Sequence, residues 1–348
     1  MGNTVAPPAG RLYVYDQFAA PGRQARHGDA VVAAAAQEGL ASDHIVAHSK
    51  SDIQLDAGVY APVADRKQYL EAFKKGVVNL QKDTLQDATG ELNRLKDAGV
   101  HDSAVNFSMG MSKASVVDVY FKKMSLAWDA NDFQGTADER DQAIKEGEAL
   151  LGNFAKANGI KKEDVIERMA VPKSEGAKKL AQSIKGELAR EVEGALKGDK
   201  TVGAAKADYD QAVVAFEKNH NSVVVAAENA GDISRQGKSA DFYDNVLSNS
   251  STTTVGAVDA GRGKVESYSN PSKNVTVYAP GQSPIWNNPG TSFASPRVAA
   301  AMAKAHELNQ QMESQEVEAK VLGELTMAVP GAGRQLDPSK DKAYFARN

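Results

Sequence analysis

The chain has 348 residues, 41 Lys+Arg against 45 Asp+Glu for a net charge of −4, and a hydrophobic fraction of 42%, enough for one large α/β domain or two average ones. The mild acidity gives no attraction toward phosphate backbones and argues against nucleic acid as a partner; no apolar run approaches the roughly 18 residues of a membrane span, and MGNTVAPPAG has neither the basic start nor the apolar segment of a secretory signal. With no cysteine at all, disulfides, thiolate nucleophiles and Cys-bound metals are excluded together.

In chain order, short β-rich runs alternate with helical patterns, which predicts an α/β fold of three layers, a mostly parallel sheet with helices on both faces. Strands are expected at Leu12–Tyr15, His44–Ala47, Ala104–Phe107, Ser222–Ala226, Thr253–Val258 and Val275–Tyr278. Between the first two, an Ala/Val-rich helix is expected from His27 to about Gly39, a glycine suited to a left-handed stop. Tyr69, Leu70, Phe73, Val77, Leu80, Leu92 and Leu95 give helical spacing to about Asp65–Ala98, with Gly99 as the stop.

From about Val119 to Phe216 the alternation ceases, and the chain is charged, Ala-rich and helical by pattern. Thr136 and Glu139 have capping-box spacing ahead of Leu150, Leu151 and Phe154, with Gly159 after them. Leu180, Ile184, Leu188, Val192 and Leu196 recur every four residues as one apolar stripe. We expect a helical insertion over residues 121–215, set into a domain formed by 1–120 and 216–348. The insertion either packs its stripes on itself as a subdomain or is a partner-binding or active-site-covering element. A last helix is expected from just after Ser292 to about Leu308, with Pro296 in its first turn.

The densest chemical signal is GTSFASPRVAAAMAKA from Gly290. Its serine would stand at a helix N-terminus, where unpaired N–H groups and the positive dipole end favour an oxyanion; taken alone it could equally be a plain N-cap. His27 starts a helix in HGDAVVAAA, Asp16 closes the strand LYVYD, and Asn229 follows the strand in SVVVAAEN. On a parallel sheet such strand ends face one crevice. An acid, a base, a nucleophile and an amide donor are thus available, in the order Asp, His, Ser. The other histidines, His44, His48, His101, His220 and His306, lack metal-ligand spacing, and no phosphate-binding glycine loop is present. No cofactor is expected.

These segments resemble the subtilisin-like serine proteases. GTSFASP is similar to the nucleophile signature, HGDAV to the histidine signature HGTHV, VVVAAEN to the strand before the oxyanion asparagine, and VNFSMG at Val105–Gly110 to the strand lining the specificity pocket. TTVGAVD, SYSN followed by VTVYAPG, and the tail GAGRQLDPSKDKA are further matches. The resemblance implies a serine endopeptidase acting on peptides or proteins through an acyl-enzyme. It implies Ser292 as nucleophile, His27 as base, Asp16 as its orienting acid, and Asn229 as oxyanion donor. Ser108, Met109 and Gly110 would face Ala226, Ala227 and Glu228 across the pocket for the residue before the scissile bond.

Some positions depart from the family pattern. Gln17 and Phe18 follow Asp16 where a small hydroxyl residue and Gly are usual, and Asp29 replaces a Thr; Asp29 reads either as a helix-start carboxylate or as a group tuning His27. Glu228 stands where Gly is common, and reads either as a pocket acid favouring a basic substrate residue or as a solvated glutamate. The family's calcium loop is not recognisable, so no metal is expected. A catalytically impaired binding protein, or an effector whose helical insertion recruits a partner, is the alternative to a protease.

Overall fold

The computed structural model describes residues 7–19, 25–50, 54–129, 136–170, 175–234, 236–260, 263–329, 333–337 and 339–340. Eight strands form one sheet: β1 (Leu12–Asp16), β2 (Ile45–Ser49), β3 (Ala104–Phe107), β4 (Ser222–Ala226), β5 (Thr253–Val258), β6 (Val275–Pro280), β7 (Thr326–Val329) and β8 (Gly333–Leu336). Their order is β2-β1-β3-β4-β5-β6-β8-β7, and every pair is parallel except the β7–β8 hairpin. Strands β3 and β4 are buried at every position, as continuous apolar runs covered on both faces must be.

The covering helices sort by face. Helices α1 (His27–Ala36), α8 (Thr291–Leu308) and α9 (Ser314–Glu324) share a core with Leu12, Val14, Val224 and Val255. On the other face, the second half of α2 (Arg66–Asp97) and helix α7 (Lys200–Glu217) bury Leu85, Leu92, Tyr209 and Phe216 against Tyr13, Val105 and Val223. This is the three-layer, mostly parallel arrangement expected from the sequence. The hairpin β7–β8 was not expected: neither TMAV nor GRQL alternates in polarity, and the pair is defined by mutual register and the edge of β6 rather than by pattern.

A third core lies beside the sheet. The first half of α2 and helices α3 (Lys113–Ser125), α4 (Ala137–Ala157), α5 (Lys162–Ala170) and α6 (Glu175–Leu196) gather Tyr69, Phe73, Tyr120, Leu150, Phe154, Ile184, Leu188 and Val192. The α6 stripe is therefore spent inside the molecule, against α2 and α3; the Leu180 side chain lies outside the described residues. The Thr136–Glu139 capping box forms, with both backbone N–H groups satisfied. Gly39, Gly99 and Gly159 hold positive φ of 80°, 74° and 64° at the helix ends, as expected of left-handed stops. Helix α7, which lies within the 121–215 span except for its last two residues, packs on the sheet. Of the tail GAGRQLDPSKDKA, residues 331–332, 338 and 341–343 lie outside the described residues. No helix among the described residues is long and apolar enough to cross a membrane.

Candidate active site

Because β1 to β6 run parallel, their C-terminal ends share one edge of the sheet. Strand order reverses on the two sides of β1, the position at which parallel sheets open a crevice. Asp16 is the last residue of β1 and His27 the first of α1. The tight return between them is set by Gly28: its N–H donates to the Gln17 carbonyl at 2.7 Å, and a Cβ there would come within 2.8 Å of the Phe18 ring. The unusual Gln17–Phe18 pair thus packs against the glycine that follows the histidine.

Both Asp16 carboxylate oxygens accept from His27 Nδ1, at 2.9 and 3.0 Å, and Oδ1 also accepts from the Gln17 N–H at 2.7 Å. A carboxylate is an acceptor only, so the proton sits on Nδ1 and Nε2 is the acceptor face of the ring. Ser292 Oγ lies 2.9 Å from that Nε2 and donates to it. Asp16 is 3% exposed, whereas the His27 side chain is 36% exposed, so the charged end of the run is sealed and the reactive end is open. The ring leans on Phe293, centroids 5.5 Å apart, which in turn meets Trp286. Asp29 does not face the imidazole among the described contacts: its Oδ2 accepts from the Arg26 and Ala19 N–H groups at 2.7 and 3.1 Å, tying the loop to the helix start.

Helix α8 begins at Thr291, one residue before the nucleophile candidate, so Ser292 lies inside the first turn. The expectation for Pro296 needs correction. It is the sixth helical residue and sits inside the helix, where it has no N–H to give to the carbonyl four residues back. That carbonyl belongs to Ser292. It is rescued by the Ser108 hydroxyl, which donates to it at 2.9 Å and itself accepts from Asn106 Nδ2 at 2.7 Å. Ser108 therefore holds the nucleophile's own peptide from the end of β3.

Asn229 lies beyond β4. Its Oδ1 accepts from both the Thr291 N–H (2.8 Å) and hydroxyl (3.1 Å), which turns the amide nitrogen away from α8's first residue. Gly290 lies beside both groups: a Cβ at 290 would stand 3.1 Å from Ser292 Oγ, 3.5 Å from Asn229 Nδ2 and 3.7 Å from Asn229 Oδ1. One small volume thus borders the hydroxyl and the amide, with the unpaired N–H groups of a helix start beside it.

The segments Ser108–Gly110 and Ala226–Glu228 are joined by a residue that sequence reasoning missed. Asn245 Nδ2 lies 2.7 Å from the Ala226 carbonyl and 3.4 Å from that of Met109, and packs so closely on Gly110 that any Cβ there would clash. Asn245 is isolated in FYDNVLS, and its partners are 19 and 136 residues away, so no local signal marks it. Glu228 holds φ +77° and is half-buried; burial pushes its carboxyl up to about 7, against the Ser115 hydrogen bond and the Lys50 charge that lower it. Each other histidine has a local partner, among them His48 with Glu91 (2.7 Å), His101 with Asp102 (2.8 Å) and His306 with Ser222 (2.8 Å). No cluster of His, Asp and Glu among the described residues has the makings of a metal site.

Residues 175–335 match the Subtilase family, a span holding Asn229 and Ser292 but neither Asp16 nor His27. No curated protein matches the chain. Among solved structures it is similar to a lanthipeptide protease (10% identity, TM-score 0.42, covering 96% of this chain and 88% of that one). It is also similar to the MycP3 protease from the type VII (ESX-3) secretion system (12% identity, TM-score 0.39, covering 96% and 82%).

Proposed function

We propose that the chain, whose residues 175–335 match the Subtilase family, is a serine endopeptidase that cleaves peptide bonds through an acyl-enzyme. The observation carrying this reading is the continuous hydrogen-bonded run from Asp16 through His27 to Ser292, with 2.9 Å at each closest step.

Ser292 Oγ attacks the scissile carbonyl while His27 Nε2 takes its proton. Asp16 keeps the imidazole in the tautomer that leaves Nε2 free and stabilises the imidazolium once formed. The carbonyl oxygen, now an oxyanion, moves toward the volume beside Gly290 and is met by Asn229 Nδ2 and the Ser292 N–H. His27 returns the proton to the departing amine, the C–N bond breaks, and Ser292 is left as an ester. Water, deprotonated by the same nitrogen, attacks that ester; His27 then gives the proton to Ser292 Oγ as the C–O bond breaks, releasing the acid and restoring the hydroxyl. Ser108 keeps the Ser292 peptide still through both attacks, which matters because small displacements of a reacting atom are expensive in rate.

Reaction with a fluorophosphonate probe, followed by mass spectrometry, tests this reading. The wild-type chain should be labelled on Ser292 and Ser292→Ala should not. A folded wild type that stays unlabelled, or a variant labelled equally well, overturns it.

A further inference from the structure

Four non-glycine residues among those described hold positive φ: Asp102, His220, Gln311 and Glu228. Asp102 and His220 lie just before β3 and β4, and Gln311 donates its N–H to Asp102 Oδ1 at 2.5 Å, so these three share the N-terminal edge of the sheet. Glu228 stands on the opposite edge, next to Asn229. Glycine would adopt this conformation without a Cβ penalty. A side chain held there against local preference points to a use for the side chain.

Its carboxylate reaches the residue that joins Ser108–Gly110 to Ala226–Glu228. Oε1 lies 3.3 Å from Asn245 Nδ2, the nitrogen already engaged by Ala226 and Met109, and the Ser115 hydroxyl of α3 supplies the other hydrogen bond. Three oxygens therefore compete for the two protons of one amide, and a carboxylate with about four acceptor positions has only part of its capacity filled. The charges acting on it do so through space: Lys50 beyond β2 and His27 of α1 favour ionisation, and Asp118 of α3 opposes it. Among the described residues no Lys, Arg or His nitrogen forms an ion pair with Glu228 within 4.0 Å.

We infer that Glu228 is the specificity-determining residue of the site, and that the substrate residue before the scissile bond is arginine or lysine, its cation resting on the Glu228 carboxylate between Asn245 and Ser115. The inference builds on the protease reading, since it names what that cleft accepts. A cation in contact favours the ionised acid. Because burial holds the free carboxyl up to about 7, the preference for a basic residue should strengthen as pH rises through neutrality and fade below it.

Binding separates this from catalysis. Peptides ending in arginine or in norleucine, each representing the released N-terminal product, are titrated calorimetrically into Ser292→Ala protein at about pH 8 and about pH 5.5, values either side of the carboxyl's titration. The arginine peptide should bind about tenfold to a hundredfold more tightly at the higher pH, the range for a hydrogen bond to a charged partner, with the ratio falling toward one at the lower. Adding Glu228→Gln should abolish the ratio and leave norleucine binding within about twofold. Adding Glu228→Gly, which relieves the backbone at φ +77°, should abolish it as well, with the melting temperature measured alongside to show that the variant is folded. Equal binding of the two peptides, or a preference that survives either variant, overturns the inference. Fluorophosphonate labelling reports the other reading independently: a labelled chain without the preference breaks only the inference, and an unlabelled chain with it breaks only the peptidase assignment.

Discussion

The sheet edge and the helical layer beside it use side chains in different ways. At the edge, each chemical group is aimed by a backbone that has just left regular structure: Asp16 ends β1, Asn229 follows β4, and Ser292 opens α8. Their positions are set by main-chain geometry and by single polar contacts such as Ser108 to the Ser292 carbonyl. The layer of α3 to α6 is held by volume, with Ile184, Leu188, Val192, Tyr120 and Phe154 closing on α2. One lesson is that precision and bulk stability reside in different parts of this molecule and should respond to different substitutions. The two parts meet at Asp232, three residues past Asn229, where Lys185 of α6 contacts Oδ2 at 2.9 Å and Gln182 donates to its carbonyl at 3.0 Å.

Asn229→Ala should break the edge alone. Peptidase kcat should fall about 10²–10³-fold, the range known for such a donor in a subtilisin, with KM nearly unchanged and stability lowered by about 0.5–2 kcal/mol for the lost bonds to Thr291; a folded variant with unchanged kcat would mean that Asn229 holds the start of α8 rather than the oxyanion. Leu188→Ala should do the reverse. Chemical denaturation should register a loss of about 2–5 kcal/mol, as for a buried leucine truncated to leave a cavity, with kcat per folded molecule retained. Lys185→Met probes the joint. Its side chain is only 10% exposed against 52% for Asp232, so the pair is half in water and worth about 1 kcal/mol or less. The expected effect is a severalfold loss of kcat with KM held. Unchanged kinetics would uncouple the helical layer from the Asn229 loop.

The same contrast explains what could be read from residues alone. Strands β3, β4 and β5 fall where the apolar runs predict them, because burial on both faces leaves a composition that no other element shares. Asp16, His27, Asn229 and Ser292 stood out because each adjoins such an element, and the structure brings all four to one edge. Asn245 stayed hidden since its value lies entirely in tertiary partners, and the role of Ser108 depended on knowing that Pro296 lies in the second turn. Glu228 was legible as a departure from glycine, read either as a pocket acid or as a solvated glutamate. Its positive φ and its contact with Asn245 belong to the folded chain, not to the string. The helical layer gave its stripes at once and its destination not at all, because amphipathic spacing says that a face is covered and never by what.

The base and the nucleophile are 265 residues apart in the chain and belong to helices that dock on the same face of the sheet. Closing so long a loop is entropically unfavourable until the intervening strands have paired. A ribosome that has released only the first two-thirds of this polypeptide, or a proteolytic fragment ending before α8, therefore carries an imidazole that lacks both the Ser292 hydroxyl and the Phe293 ring it leans on. On the proposed peptidase reading, hydrolytic competence arrives late and all at once, with the docking of one helix.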